Sequence, residues 1–206
     1  MPSNLAEWDA KHRATSGNGP AEPAGIVRDL LPLLPHGAAL DLACGMGRHT
    51  LLLAKRPQPV TAVDGSPVAL DSLAQRARAE NLRAHRASDN TIVAETRDRH
   101  IRLVQADLER AILPAASFAL ILCIHYLQRS LHPQIEDALL PGGMLVFETY
   151  TRAQLEFAHG PHNPAFLLET GELRNAFPSL DLVFYRELRA GQGIATLLAQ
   201  KPHKTN

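Results

Sequence analysis

The chain has 206 residues, 45% hydrophobic and 20% charged, which is enough to bury one core and predicts a single domain over 1–206. Basic and acidic residues number 21 each, so the formal net charge is zero and no general attraction to nucleic acid or an anionic membrane is expected. Two cysteines make no disulfide framework, no run reaches the ~18 apolar residues of a membrane span, and the N-terminal MPSNLAEWDAKHR lacks the basic-then-apolar order of a signal peptide, so the expected location is the cytoplasm.

The spacing predicts a short helix over 3–13 with Trp8 on its apolar side, then a loop rich in glycine and proline at 15–20. A second helix is expected over 22–34, from the periodicity of Ile26, Val27, Leu30, Leu31 and Leu34. An alternating pattern follows. Strands are expected at 38–42, 60–63, 101–105, 118–124 and 144–150. Helices are expected at 47–55, from Pro67 to about Leu82, and at 127–139 with an interruption near Pro133. Pro141-Gly142-Gly143 reads as a turn, and a last helix is expected after Thr170. The segments 182–189 and 194–200, joined by Ala190-Gly191-Gln192-Gly193, read as an antiparallel hairpin. The fold class is therefore α/β: a Rossmann-like, doubly wound, mostly parallel seven-stranded sheet with a C-terminal antiparallel hairpin. Residues 83–100 lengthen one link and read either as a loop or as a helical extension. Residues 151–170 leave the carboxyl end of a strand, where open α/β sheets bind ligands, and are a candidate lid or substrate loop.

The chemistry is concentrated at the first strand-to-helix turn, Asp41-Leu42-Ala43-Cys44-Gly45-Met46-Gly47-Arg48. Gly45 and Gly47 clear side chains from a helix N-terminus, so that a polar ligand can approach the backbone. Thr50 stands where the dinucleotide fingerprint has its third glycine, which argues against a pyrophosphate-bridged dinucleotide and an NAD-linked oxidoreductase. Asp64 ends the second strand, where a carboxylate can accept from both ribose hydroxyls. Asp107 follows the third, where it can accept from an adenine amine. Three aspartates at the carboxyl ends of three successive strands point together to S-adenosylmethionine (SAM).

These residues resemble the class I SAM-dependent methyltransferases, and most of all the small tellurite-resistance-type group and related uncharacterised bacterial methyltransferases. Trp8-Asp9-Ala10-Lys11-His12 is similar to that group's N-terminal signature, with His12 where tyrosine is usual. Tyr126-Leu127-Gln128-Arg129 resembles its Tyr-Leu-His-Arg segment, with Gln128 where histidine is usual. Asn163 to Leu168 and Gly171-Glu172-Leu173 resemble a lid pattern of the relatives. The resemblance implies that Ala43, Gly45 and Gly47 contact the methionine part of the cofactor and that Arg48 pairs with its carboxylate. It also implies that Asp64 holds the ribose beside Gly65 and Ser66, that Asp107 and Leu108 flank the adenine, and that Cys123 and His125 close the floor. Residues 1–35 are then N-terminal helices covering the site.

The expected function is SAM-dependent methyl transfer to a small-molecule acceptor, with a thiol-like or metalloid nucleophile among the candidates and S-adenosylhomocysteine (SAH) as product. An RNA or protein acceptor, and a non-catalytic SAM-binding role, stay open as alternatives. No catalytic base is identified. His12, His125, His159 and His162 are candidates because histidine titrates near neutral pH. No metal site is expected, since His159-x-x-His162 is short and broken by proline. Cys44 and Cys123 read as buried small hydrophobes. The partners expected are a small acceptor and at most a second copy of the chain, with no membrane and, outside the RNA alternative, no nucleic acid.

Overall fold

A computed structural model describes residues 9, 10, 12–14 and 22–203. Residues 9, 10 and 12–14 are helical; the rest of the helix predicted over 3–13, Trp8 and the loop at 15–20 lie outside the described residues. The second predicted helix is shorter than its periodicity. Helix α1 spans Gly25–Leu30 and gives way to a 3-10 turn at Leu31–Leu33, because Pro32 cannot supply the next helical amide.

Then come β1 (Ala39–Leu42), α2 (Arg48–Ala54), β2 (Val60–Asp64) and α3 (Pro67–Ala79). The Ser66 hydroxyl caps α3 by accepting from the Ala69 amide, with Pro67 in the first turn. α3 ends at Ala79 rather than near Leu82, and the reason is local. Asn81 takes a left-handed conformation, with φ of 58°. The Leu82 amide reaches the Ala77 carbonyl and the Asn81 amide the Arg78 carbonyl, a Schellman cap.

Five of the six remaining strands, β4 to β8, span His100–Gln105, Phe118–Ile124, Leu139–Tyr150, Asp181–Arg189 and Gly193–Gln200. The sixth, β3 at Arg83–Arg86, was not expected. It raises the sheet from seven strands to eight, in the order β3-β4-β2-β1-β5-β6-β8-β7. Its sequence, Arg-Ala-His-Arg, carries no apolar alternation because it is a charged edge strand. β1 through β6 pair in parallel, while β8 runs antiparallel between β6 and β7, so the C-terminal hairpin is present as read.

Two further expectations are corrected. Pro141-Gly142-Gly143 is not a turn before the strand but an irregular stretch inside β6, where pairing with β5 shifts register between Phe118 and Leu120. A β-carbon on Gly143 would stand 2.8 Å from the Leu140 carbonyl oxygen, so the irregularity needs glycine. The last helix after Thr170 is only a 3-10 turn, Leu173–Asn175, since Pro178 follows two residues after Ala176 and prevents continuation. The interruption expected near Pro133 is present. A 3-10 turn at Arg129–Leu131 leads into α4 (His132–Ala138), with Pro133 in its first turn.

The sheet is covered on both faces. Ile26 and Val27 of α1, Leu51 and Leu53 of α2, and Leu70 and Leu73 of α3 pack on one side. Ile135 and Ala138 of α4, Leu173 and Phe177 pack on the other. Ile92 joins this second face, so the link at 83–100 is an ordered crossover rather than a free loop. Thr61 in β2 ties it down: its hydroxyl donates to the Val93 carbonyl and accepts from the Glu95 amide.

Candidate functional site

β1 has β2 on one side and β5 on the other, so the strand order reverses direction there. Such a switch point opens a crevice beyond the carboxyl ends of the strands. A cavity of about 390 Å³ lies there, lined by residues that include Ala43, Gly45, Asp64, Gly65, Ser66, Asp107, Leu108 and His125. The loop between β1 and α2 forms one wall. Ala43, Gly45 and Gly47 all have positive φ, at 53°, 52° and 79°. Gly47 is the tightest of them, because a β-carbon there would stand 2.1 Å from Leu73 Cδ1.

Asp64 sits at the tip of β2. Its two carboxylate oxygens accept from the Gly45 and Ser66 amides, each at 2.8 Å. Burial raises its pKa despite those two bonds. The N-terminal helix closes over this corner. The Ser66 hydroxyl donates to Asp9, and the His12 ring lies 3.7 Å from where a Gly45 β-carbon would stand. The Asp9 of the N-terminal signature is thereby given a physical role that its sequence did not reveal. At the far end, Asp107 is half-exposed and accepts from the Glu109 amide, with the buried Leu108 beside it. Asn90 faces the same cavity from the 83–100 crossover.

Behind the cleft, Arg48, His125, Glu148 and Thr196 form a chain of contacts. Arg48 Nη2 lies 3.1 Å from His125 Nδ1, His125 Nε2 lies 3.7 Å from Glu148 Oε1, and the Thr196 hydroxyl donates to Glu148 Oε2 at 2.7 Å. Burial pushes the Glu148 carboxyl up, yet the His125 and Thr196 contacts bring it below its ordinary value.

Ala43, Gly45, Asp64, Gly65, Ser66, Asp107, Leu108, His12 and His125, all singled out in the sequence, thus line one cavity. Asp41, Gly47, Arg48 and Cys123 stand behind it. The Asp41 carboxylate accepts from the Thr50 hydroxyl at 2.5 Å, and Cys123 is buried with its thiol toward the Tyr126 carbonyl. Burial raises the pKa of both cysteines, in keeping with inert, buried thiols. His159 and His162 do not line the cavity, and His162 Nε2 donates to the Phe157 carbonyl at 2.9 Å. Asn90, Gln105, Tyr126 and Glu148 were missed. Of these, Tyr126 opens a motif already singled out, and Glu148 had its own signal: one acidic residue after the apolar run Met144-Leu145-Val146-Phe147.

The segment 151–170 is strapped down. Arg129 donates to both Glu172 oxygens and to the Leu167 carbonyl, joining the two sequence patterns around Tyr126–Arg129 and Asn163–Leu168. Gln154, fully buried, accepts from the Gly193 amide. Among the described residues no cluster of His, Cys, Asp or Glu could hold a metal ion, and no helix is long and apolar enough to cross a membrane.

Burial pushes Asp41 up to about 7, against the opposing Thr50 bonds. A carboxyl raised in the fold keeps its proton while the unfolded chain loses it, so stability falls as pH rises from about 4 toward 7. Asp41→Asn removes this dependence. Chemical denaturation at pH 5 and pH 8 should show the wild type losing stability relative to the variant; a constant difference would contradict an ionising Asp41.

The fold and cleft together define a Rossmann-like domain of the class I SAM-dependent methyltransferase type. Residues 40–147, just over half of the chain, match the family model described as a methyltransferase domain, and the chain belongs to that family, whose cofactor is SAM. TehB from Haemophilus influenzae superposes with a TM-score of 0.70 at 19% identity, covering 91% of this chain and 65% of TehB. The cyclase SpnF gives 0.69 at 16%, over 97% and 94% of the two chains. Geranyl diphosphate C-methyltransferase from Streptomyces coelicolor A3(2), solved with Mg2+, geranyl-S-thiolodiphosphate and SAH, gives 0.63 at 15%, over 85% and 75%. At such identities the likeness carries the fold alone; one of the three is named a cyclase. No curated protein matches the sequence.

Proposed function

We propose that the cleft holds SAM and that the chain transfers the methyl group to a small-molecule acceptor. Asp64 supports this most. With one bond to each oxygen from the Gly45 and Ser66 amides, the carboxylate is fixed at the cavity and keeps lone pairs for two ribose hydroxyls. A cavity of about 390 Å³ is of small-ligand size.

In this reading Ala43, Gly45 and Gly47 let the methionine part approach the backbone, and Arg48 takes its carboxylate. Gly65 and Ser66 flank the ribose, while Asp107, Leu108 and Asn90 surround the adenine. Asp41 and Cys123 support the floor from below. When bound, the cofactor supplies an electrophilic methyl group on a sulfonium. The protein aligns the acceptor and excludes water. The chain 1–206 acts as one domain in the cytoplasm, as monomer or homodimer, with 1–35 over the cofactor and 151–170 as a wall on the acceptor side. A formal net charge of zero favours a small acceptor over a nucleic acid, and thiol-like or metalloid nucleophiles fall within that class.

Titration calorimetry is the test: SAM and SAH bind and NAD does not. Binding of NAD alone would overturn the reading. A screen for SAH release across thiols, halides, metalloids, phenols and amines then identifies the acceptor. Silence across it moves the chain to a macromolecular acceptor or to a non-catalytic SAM binder.

A further inference from the structure

Four side chains from four places in the fold meet at the cleft wall, His125 on its cavity side and the other three behind it: Arg48 opening α2, His125 just after β5, Glu148 in β6 and Thr196 in β8. Their chemistry fixes the histidine tautomer. A guanidinium only donates, so His125 Nδ1 at 3.1 Å from Arg48 must accept, and the ring proton sits on Nε2, facing Glu148. The Thr196 hydroxyl holds the second Glu148 oxygen, so the carboxylate cannot turn away. The backbone is also set for this purpose. His125 has φ of 61°, a conformation that non-glycine residues rarely adopt, and its amide donates to the Glu148 carbonyl at 2.6 Å. The other groups facing the ring are Tyr150 of β6, with ring centroids 4.9 Å apart, and the buried His49 of α2. An imidazole that lines the cavity, is oriented by a buried carboxylate and has one lone pair has the parts of a proton acceptor. Arg48 occupies that lone pair.

We propose that His125 takes the proton of the methyl acceptor, that Glu148 is its positioning carboxylate, and that Arg48 blocks the imidazole until the cofactor's carboxylate draws the guanidinium away. This rests on the SAM reading above. It specifies the acceptor class: a protic nucleophile, such as a thiol, phenol or amine, rather than a ready-made anion. The acceptor's lone pair forms the new bond to the methyl carbon, the carbon–sulfur pair returns to sulfur, and the acceptor's proton goes to His125 Nδ1. Arg48 thus frees the base only when the cofactor is in place.

Histidine-ring 15N NMR on the full chain at fixed pH tests this, with SAH as the probe, its binding checked by calorimetry and His125 assigned through His125→Gln. The free protein should show the Nε2–H tautomer with a hydrogen-bonded Nδ1, and SAH should move Nδ1 downfield as that bond is lost. In Arg48→Met, Nδ1 should start downfield and not respond to SAH. In SAH-bound Glu148→Gln, where Arg48 no longer holds Nδ1, the ring proton should spread over both nitrogens. SAH release from a thiol, phenol or amine of the screen should fall by about 100-fold or more in His125→Gln, while SAH affinity stays within a few-fold. Bound SAH with an unmoved Nδ1, a tautomer of the SAH-bound protein indifferent to Glu148→Gln, or wild-type turnover in His125→Gln overturns the proposal. Failure of the wild type to bind SAH at all overturns the cofactor reading, and the gate with it.

Discussion

Replacing Asp64 with alanine is expected to weaken SAM binding by at least about 100-fold. Hydrogen bonds to a charged group are worth roughly 1.5–3 kcal/mol each, and two ribose hydroxyls lose theirs together. The amides of Gly45 and Ser66, now held at 2.8 Å by the same carboxylate, lose their partner as well, so the glycine loop and the start of α3 are no longer pinned to each other. Asp64→Asn keeps the shape and one acceptor oxygen and should fall between the two. Calorimetric titration of all three proteins with SAM gives the series. Wild-type affinity in Asp64→Ala would sink the assigned ribose site.

Gly47→Ala should be strongly destabilising for a single added methyl. At φ of 79° an alanine costs about 1–2 kcal/mol in the left-handed region. Its β-carbon would also stand 2.1 Å from Leu73 Cδ1, deep between α2 and α3, which adds roughly 1–3 kcal/mol of overpacking. For a domain of this size the sum lowers the melting temperature by roughly 4–20 °C. A companion variant separates the two causes. With Leu73→Ala in the background the steric part disappears and the conformational part stays, so Gly47→Ala should cost less there than in the wild type. An equal cost in both backgrounds would show that Leu73 is not the obstacle.

Much of the cavity's glycine-loop corner was legible in the sequence because it is built from adjacent pieces. Gly45 and Asp64 follow β1 and β2 in turn, Asp107 follows β4 beyond the inserted β3, and the periodicity of apolar residues marks where each of these three strands ends. The contact of Arg48 with His125 was not legible, because the pairing that brings the ends of β1 and β5 together is not written in either strand alone. β3 escaped notice for the opposite reason. An edge strand needs no apolar face, and Arg83–Arg86 has none. Asn90 depends on how Ile92 and Thr61 lay the crossover across β2, a tertiary choice that local propensity does not encode. The early end of α3 was readable in principle. Asn81 with Leu82 behind it is a cap signal, and the apolar pattern running through it outweighed that signal.

The antiparallel hairpin also sets an order of events during synthesis. β6 is made early, yet its neighbour β8 is the last strand in the chain, and the Glu148–Thr196 bond spans 48 residues of sequence. Until β8 slides between β6 and β7, an acidic side chain destined for burial stands on an open sheet edge, still in water. The nascent domain can thus assemble its parallel half and the glycine loop while the His125–Glu148 pair stays solvated. The docking of β8 dries that carboxylate and settles the imidazole in the same step, so the His125–Glu148 end of the cleft is the part completed last.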